Sequence, residues 1–103
     1  MIKDNFDLYH LTIIKDDFIS FDLPIEEQTN KLQEDMFQVL KTGTDNIILD
    51  IGWYGETEEL KGKFIIFLIK NYDWENPLLK ISVKDLILLK EYIEFTISIL
   101  RKL

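Results

Sequence analysis

The sequence predicts an α+β fold, an antiparallel sheet of four or five strands with two helices in the order β(β)αβββα. Three observations carry that expectation. Residues 46 to 54 and 63 to 70 are rich in β-branched and aromatic side chains, as strands are. Residues 24 to 41 and 83 to 102 repeat apolar side chains at helical spacing. At 103 residues the chain has room for one domain, 1 to 103, around one core.

Taken in order, residues 8 to 22 hold two loosely alternating runs, Leu8 to Ile14 and Phe18 to Asp22, with Lys15, Asp16 and Asp17 between them. They predict a hairpin, although the turn lacks glycine and Phe6 to Ile14 could instead form one irregular extended segment. Pro24, with Glu26 and Glu27 in the following turn, marks a helix start. Ile25, Thr29, Leu32, Met36, Val39 and Leu40 then fall on one stripe and Gly43 stops it, so 24 to 41 is expected as an amphipathic helix.

The central strands are joined by an acidic loop, Gly55 to Gly62. If they pair as a hairpin, Ile47, Leu49, Ile51 and Trp53 share one face with Phe64, Ile66 and Leu68. The opposite face then carries Ile48, Asp50, Gly52 and Tyr54 with Ile65, Phe67 and Ile69, too apolar for a solvated surface. Helices or a partner should cover part of it.

Turn-forming Asn71, Asp73, Asn76 and Pro77 lead to a short strand at about 78 to 82. Ser82 with Asp85 resembles a capping box that opens the last helix. In that helix Leu86, Leu89, Ile93, Ile97 and Leu100 form one stripe. Leu88, Tyr92, Phe95, Ile99 and Leu103 form a second beside it, an apolar arc of about 200°. One sheet contact uses roughly half of that arc, and the remainder must pack on the first helix, on another copy of the chain or on a partner.

The totals narrow the function. The chain has no cysteine, so disulfides and thiolate metal sites are excluded and stability must come from packing. The amino-terminal residues include acids and no apolar run of signal-peptide length, and no stretch approaches a membrane span. A cytoplasmic protein that does not engage a membrane is the expectation. The net charge of −7, with 19 acidic against 12 basic residues, disfavours nucleic acid and would steer a basic protein partner, although it would equally serve solubility alone.

No pattern of catalytic or cofactor-binding residues emerges, so neither an enzyme nor a cofactor is expected. His10 is the sole histidine, too few for a histidine metal site, and reads as an ordinary strand residue. Asp50 lies mid-strand opposite Phe67; burial would raise its pKa toward that of a general acid, but an exposed strand face is the favoured reading. Gly52 to Gly55 lacks the spacing of a phosphate loop.

Trp74 sits in a turn between Asp73 and Glu75. It either folds back over the sheet edge or stands out as an interface anchor. Glu56, Glu58 and Glu59 in one loop and Asp73 and Glu75 in the other do not match a calcium loop, and solvated loops are the simple account. As rims around Trp74 and Tyr54 they would form a protein-binding surface complementary to basic side chains.

The segments Asp50-Ile51-Gly52-Trp53-Tyr54-Gly55, Gly62-Lys63-Phe64 and Asp73-Trp74-Glu75-Asn76-Pro77-Leu78, followed by a closing helix, resemble small bacterial proteins of the immunity type over residues 46 to 103. Such proteins are encoded beside secreted toxins and inhibit them by tight binding. The resemblance implies a cytoplasmic, non-enzymatic domain whose acidic face blocks a basic toxin domain. The alternative is a self-associating structural or adaptor protein that uses Leu88, Tyr92, Phe95 and Ile99, as a homodimer would.

Overall fold

Ile47–Tyr54 and Lys63–Lys70 pair antiparallel over their full length, with Leu49 opposite Leu68, Ile51 opposite Ile66 and Trp53 opposite Phe64. Alternation along the sequence gives this same register, because a slip of one residue would turn the apolar set outward. The computed structural model describes residues 5 to 103; the first four, on which part of the amino-terminal reading rests, lie outside it.

Five strands are present among the described residues: β1 (Thr12–Asp16), β2 (Phe37–Lys41), β3 (Ile47–Tyr54), β4 (Lys63–Lys70) and β5 (Leu79–Val83). They form one antiparallel sheet in sequential order, β1-β2-β3-β4-β5. One α-helix is present among the described residues, α1 (Leu86–Lys102), and it closes one face. Leu89, Ile93, Ile97 and Leu100 of α1 join Val39, Leu49, Ile51, Phe64, Ile66 and Leu68 in one buried cluster. These helix residues are the first stripe, so that part of the pattern positions α1 directly on the sheet.

The helix expected over 24 to 41 is absent. Short 3-10 turns occupy Ile25–Glu27 and Thr29–Lys31, and the end of the segment is β2. In Phe37–Lys41 the first and third residues are buried and the second is half-exposed, a period of two that the helical stripe obscured. Pairing with β3, Val39 opposite Leu49 and Phe37 opposite Ile51, supplies backbone bonds and apolar contact that a surface helix could not match. Upstream, Gln28 is 3% exposed and acts as a connector. Its Oε1 accepts from the Ser20 backbone N–H (2.7 Å), and its Nε2 donates to the carbonyls of Ser20 (2.7 Å) and Leu23 (3.0 Å).

The hairpin expected over 8 to 22 is also replaced. Only β1 forms there, and it pairs with β2 through a register shift between Ile13 and Lys15. Phe18 and Ile19 enter the core instead, where the Phe18 ring lies 6.0 Å from Phe64 and 6.4 Å from Phe37. Burying two large side chains from an irregular segment outweighs a second local strand.

α1 starts three residues later than expected. Asp85, not Ser82, is its cap, with Oδ1 accepting from the Leu88 N–H at 2.9 Å, while Ser82 belongs to β5. Because 24 to 41 forms no α-helix, the second stripe of α1 has no other α-helix among the described residues to pack on. Leu88, Tyr92 and Phe95 remain 42%, 36% and 53% exposed.

Candidate protein-binding surface

The sheet face opposite α1 holds the side chains that the sequence leaves unexplained. Ile48 and Asp50 of β3 and Ile65 and Ile69 of β4 are buried at its centre, while Tyr54 and Phe67 are half-buried. Phe67 lies between two other aromatic rings, 6.0 Å from Tyr54 and 6.4 Å from Trp74, meeting both nearly edge-on at 80° and 78°. Such contacts contribute about 0.5–1.5 kcal/mol each beyond area burial. Lys80, paired with Phe67 across β4 and β5, holds its Nζ 5.8 Å from the Phe67 ring centre.

Trp74 therefore does both things that its sequence position allows. It folds back onto Phe67 and still leaves 47% of its surface exposed. Its loop is tied at both ends. The Asn71 N–H donates to the Asn46 carbonyl (2.7 Å), its Oδ1 accepts from the Asn46 N–H (3.0 Å), and its Nδ2 donates to Asp45 (2.9 Å). That amide holds the Asp45 carboxyl below its ordinary range against the opposing cost of burial, with Lys70 adding to the lowering. Downstream, Asn76 Nδ2 donates to the Asp73 carboxylate and the Leu78 N–H to the Leu68 carbonyl. Asn71 and Tyr72 take left-handed φ of 50° and 62°, which turns the chain back over the sheet.

The acidic candidates divide into two groups. Asp73 and Glu75 flank Trp74 and are exposed. Glu56, Glu58 and Glu59 are exposed in the loop between β3 and β4, beyond the other end of β4. Trp53 braces the far loop, its indole N–H donating to the Glu56 carbonyl at 3.3 Å, and Lys61 lies 3.6 Å from Glu59. Tyr54 is linked to Trp74 through Phe67.

Sequence reasoning missed a third acidic group. Backbone bonds from Met36 to Ile51 and from Trp53 to Gln33 carry Glu34 and Asp35 across β3 at Gly52. A β-carbon on Gly52 would collide with the Glu34 carbonyl, so only glycine permits the crossing. Assigning 24 to 41 to a helix hid this crossing. The available signal was the glycine itself, in the interior of a strand, where it often marks close backbone approach.

Asp50 is 2% exposed, which corrects the exposed-face reading. Its carboxylate accepts from Gln38 Nε2 at 2.6 Å. Burial pushes its pKa up to about 6; the Gln38 hydrogen bond and Lys15 oppose the rise, and Asp35 adds to it. Burial also pushes the Tyr54 hydroxyl up to about 12, helped by Asp50, Glu34 and Asp35. Covered in this way, Asp50 can gain or lose a proton but does not present its carboxyl to a bound substrate. His10 is exposed in a turn with φ 66°, not in a strand, and its ring lies 4.0 Å from that of Tyr9. Among the described residues no group of three or more acids and histidines is arranged to hold a metal ion, and no helix is long and apolar enough to cross a membrane.

The arrangement presents a shallow aromatic row, Tyr54, Phe67 and Trp74, with carboxylates at both ends and a lysine beside its centre. Comparison with protein-family models, curated proteins and solved structures finds no match to this chain.

Proposed function

We propose that this protein is a non-enzymatic binding module, an acidic inhibitor of the bacterial immunity type, that neutralises a basic toxin domain from the cytoplasm. The observation that supports the reading is Trp74, half-exposed yet fixed by edge contact with Phe67 and by a loop tied to Asn46. An aromatic side chain ordered before binding loses little further freedom on association, which is how anchors gain affinity. Asp73 and Glu75 beside it and Glu34 and Asp35 near Tyr54 supply negative charge at both ends of the row, suited to arginine or lysine side chains of the partner. Glu56, Glu58 and Glu59 then act at longer range, steering the partner toward the surface.

The test uses immobilised wild-type and Trp74→Ala chains to capture protein from lysate and culture fluid of the source organism, at low and at high salt. The expected result is one basic protein, retained in stoichiometric amount by the wild type at low salt and released at high salt, whose toxicity the chain abolishes. Trp74→Ala should weaken its binding about 30-fold or more, as loss of an interface anchor does. Equal retention by both baits would reject the aromatic row as the binding surface.

A further inference from the structure

We propose that the second apolar stripe of α1 is the interface through which two copies of this chain associate, separate from the aromatic row on the other side of the sheet. The stripe is presented by a helix that cannot turn to hide it. Asp85 caps the amino end, Lys41 Nζ donates to the carbonyls of Leu100 (3.1 Å) and Arg101 (3.2 Å), and Arg101 reaches the carbonyls of Asp7 (2.8 Å) and Tyr9 (2.9 Å). With Leu89, Ile93 and Leu100 fully buried against the sheet, Leu88, Tyr92, Phe95 and Leu103 have to point away from it.

Area and charge both select a second copy as the occupant. Taking about 200 Å² for a fully exposed large side chain, the 42%, 36%, 53% and 54% exposures of Leu88, Tyr92, Phe95 and Leu103 leave ~370 Å² of apolar surface. Interfaces are about 60% apolar, so a patch of this size implies roughly 600 Å² per copy, at the lower end of the ~600–1,000 Å² that a stable pair buries on each side. The charge of −7 does not oppose the pairing. Residues 84 to 103 hold four basic and three acidic side chains, so the excess of acid lies elsewhere in the chain. A second −7 molecule can approach this face, whereas a basic partner is drawn to the opposite one.

The stripe is also self-complementary. Two α1 helices laid antiparallel about the midpoint between Tyr92 and Phe95 set Tyr92 opposite Phe95, Leu88 opposite Ile99 and Asp85 opposite Lys102. Tyr92 and Phe95 then meet each other at the centre, Leu88 meets the remaining edge of Ile99, which is half-buried against the core, and the outer contact on each side joins opposite charges.

Sedimentation equilibrium on the full chain tests the proposal over about 1 µM to 1 mM. The expected result is a concentration-dependent shift from one copy to two that persists at high salt. Phe95→Asp and, separately, Tyr92→Lys should raise the dissociation constant about 30-fold or more, as loss of a central interface residue does. Both side chains are exposed enough that the fold should survive, and far-UV circular dichroism verifies it. Trp74→Ala should leave dimerisation intact and Phe95→Asp should leave capture of the basic partner intact, so the two surfaces fail independently. A wild-type chain that stays monomeric at about 1 mM overturns the proposal and assigns the stripe to a different protein, as does a dimer that neither substitution weakens.

Discussion

Replacing Asp50 with asparagine should stabilise this protein at neutral pH and leave it nearly unchanged in acid. The carboxyl is 2% exposed, with a pKa pushed from 3.8 up to about 6. Between those values the folded state binds more protons than the unfolded state, so stability falls as pH rises. The cost is absent below about 3.8 and complete above about 6. A shift of roughly two pKa units at about 1.36 kcal/mol each makes that cost ~3 kcal/mol. The asparagine amide, neutral throughout, would avoid it and still accept from Gln38 Nε2; the charge-assisted strength of the present bond is already contained in the pKa of about 6. The expected net gain for Asp50→Asn is therefore ~3 kcal/mol near pH 7 and close to zero near pH 4. Urea denaturation of both chains at the two pH values measures it, and because the other carboxylates are shared, their titration cancels in the difference. An Asp50→Asn chain destabilised equally at both values would refute the argument, since it would show that the carboxylate is held as a favourable charge.

Two further substitutions test the elements that replaced the expected helix. Gly52→Ala should cost ~3 kcal/mol or more, because the added methyl collides with the Glu34 backbone and not with a side chain that could rotate away. A loss below about 1 kcal/mol in urea denaturation would show that the 33 to 36 crossing is easily displaced. Gln28→Leu should cost ~2–4 kcal/mol by the same assay, since it keeps side-chain bulk but removes three hydrogen bonds to Ser20 and Leu23 from a site only 3% exposed. No loss there would mean that water satisfies those backbone groups. Trp74→Ala belongs to the opposite class: with nearly half the indole in solvent, thermal unfolding should show a loss of no more than about 1 kcal/mol while binding collapses.

The sequence by itself determined what local periodicity could carry. Alternation in β3 and β4 gave their register, because two strongly patterned strands joined by a short loop have one pairing that buries both apolar sets. The spacing of Leu89, Ile93, Ile97 and Leu100 gave α1 and its buried side for the same reason. Tyr54 and Trp74 were recognisable as candidates, but Phe67, which joins them, was visible only as one more apolar residue of a strand.

Tertiary structure alone decided the rest, where local preference was weak or ambiguous. Met36 to Lys41 satisfies both a helical stripe and a strand, and the choice went to β2 because β3 offered an open edge whose backbone groups needed partners. That choice also decided the surfaces. Making the segment a strand removed the helix that would have covered Leu88, Tyr92 and Phe95, brought Gln38 to the buried Asp50, and drew Glu34 and Asp35 toward Tyr54. Residues distant in sequence thus acquired their environment from one pairing, and no periodicity within either segment encodes a contact between the two.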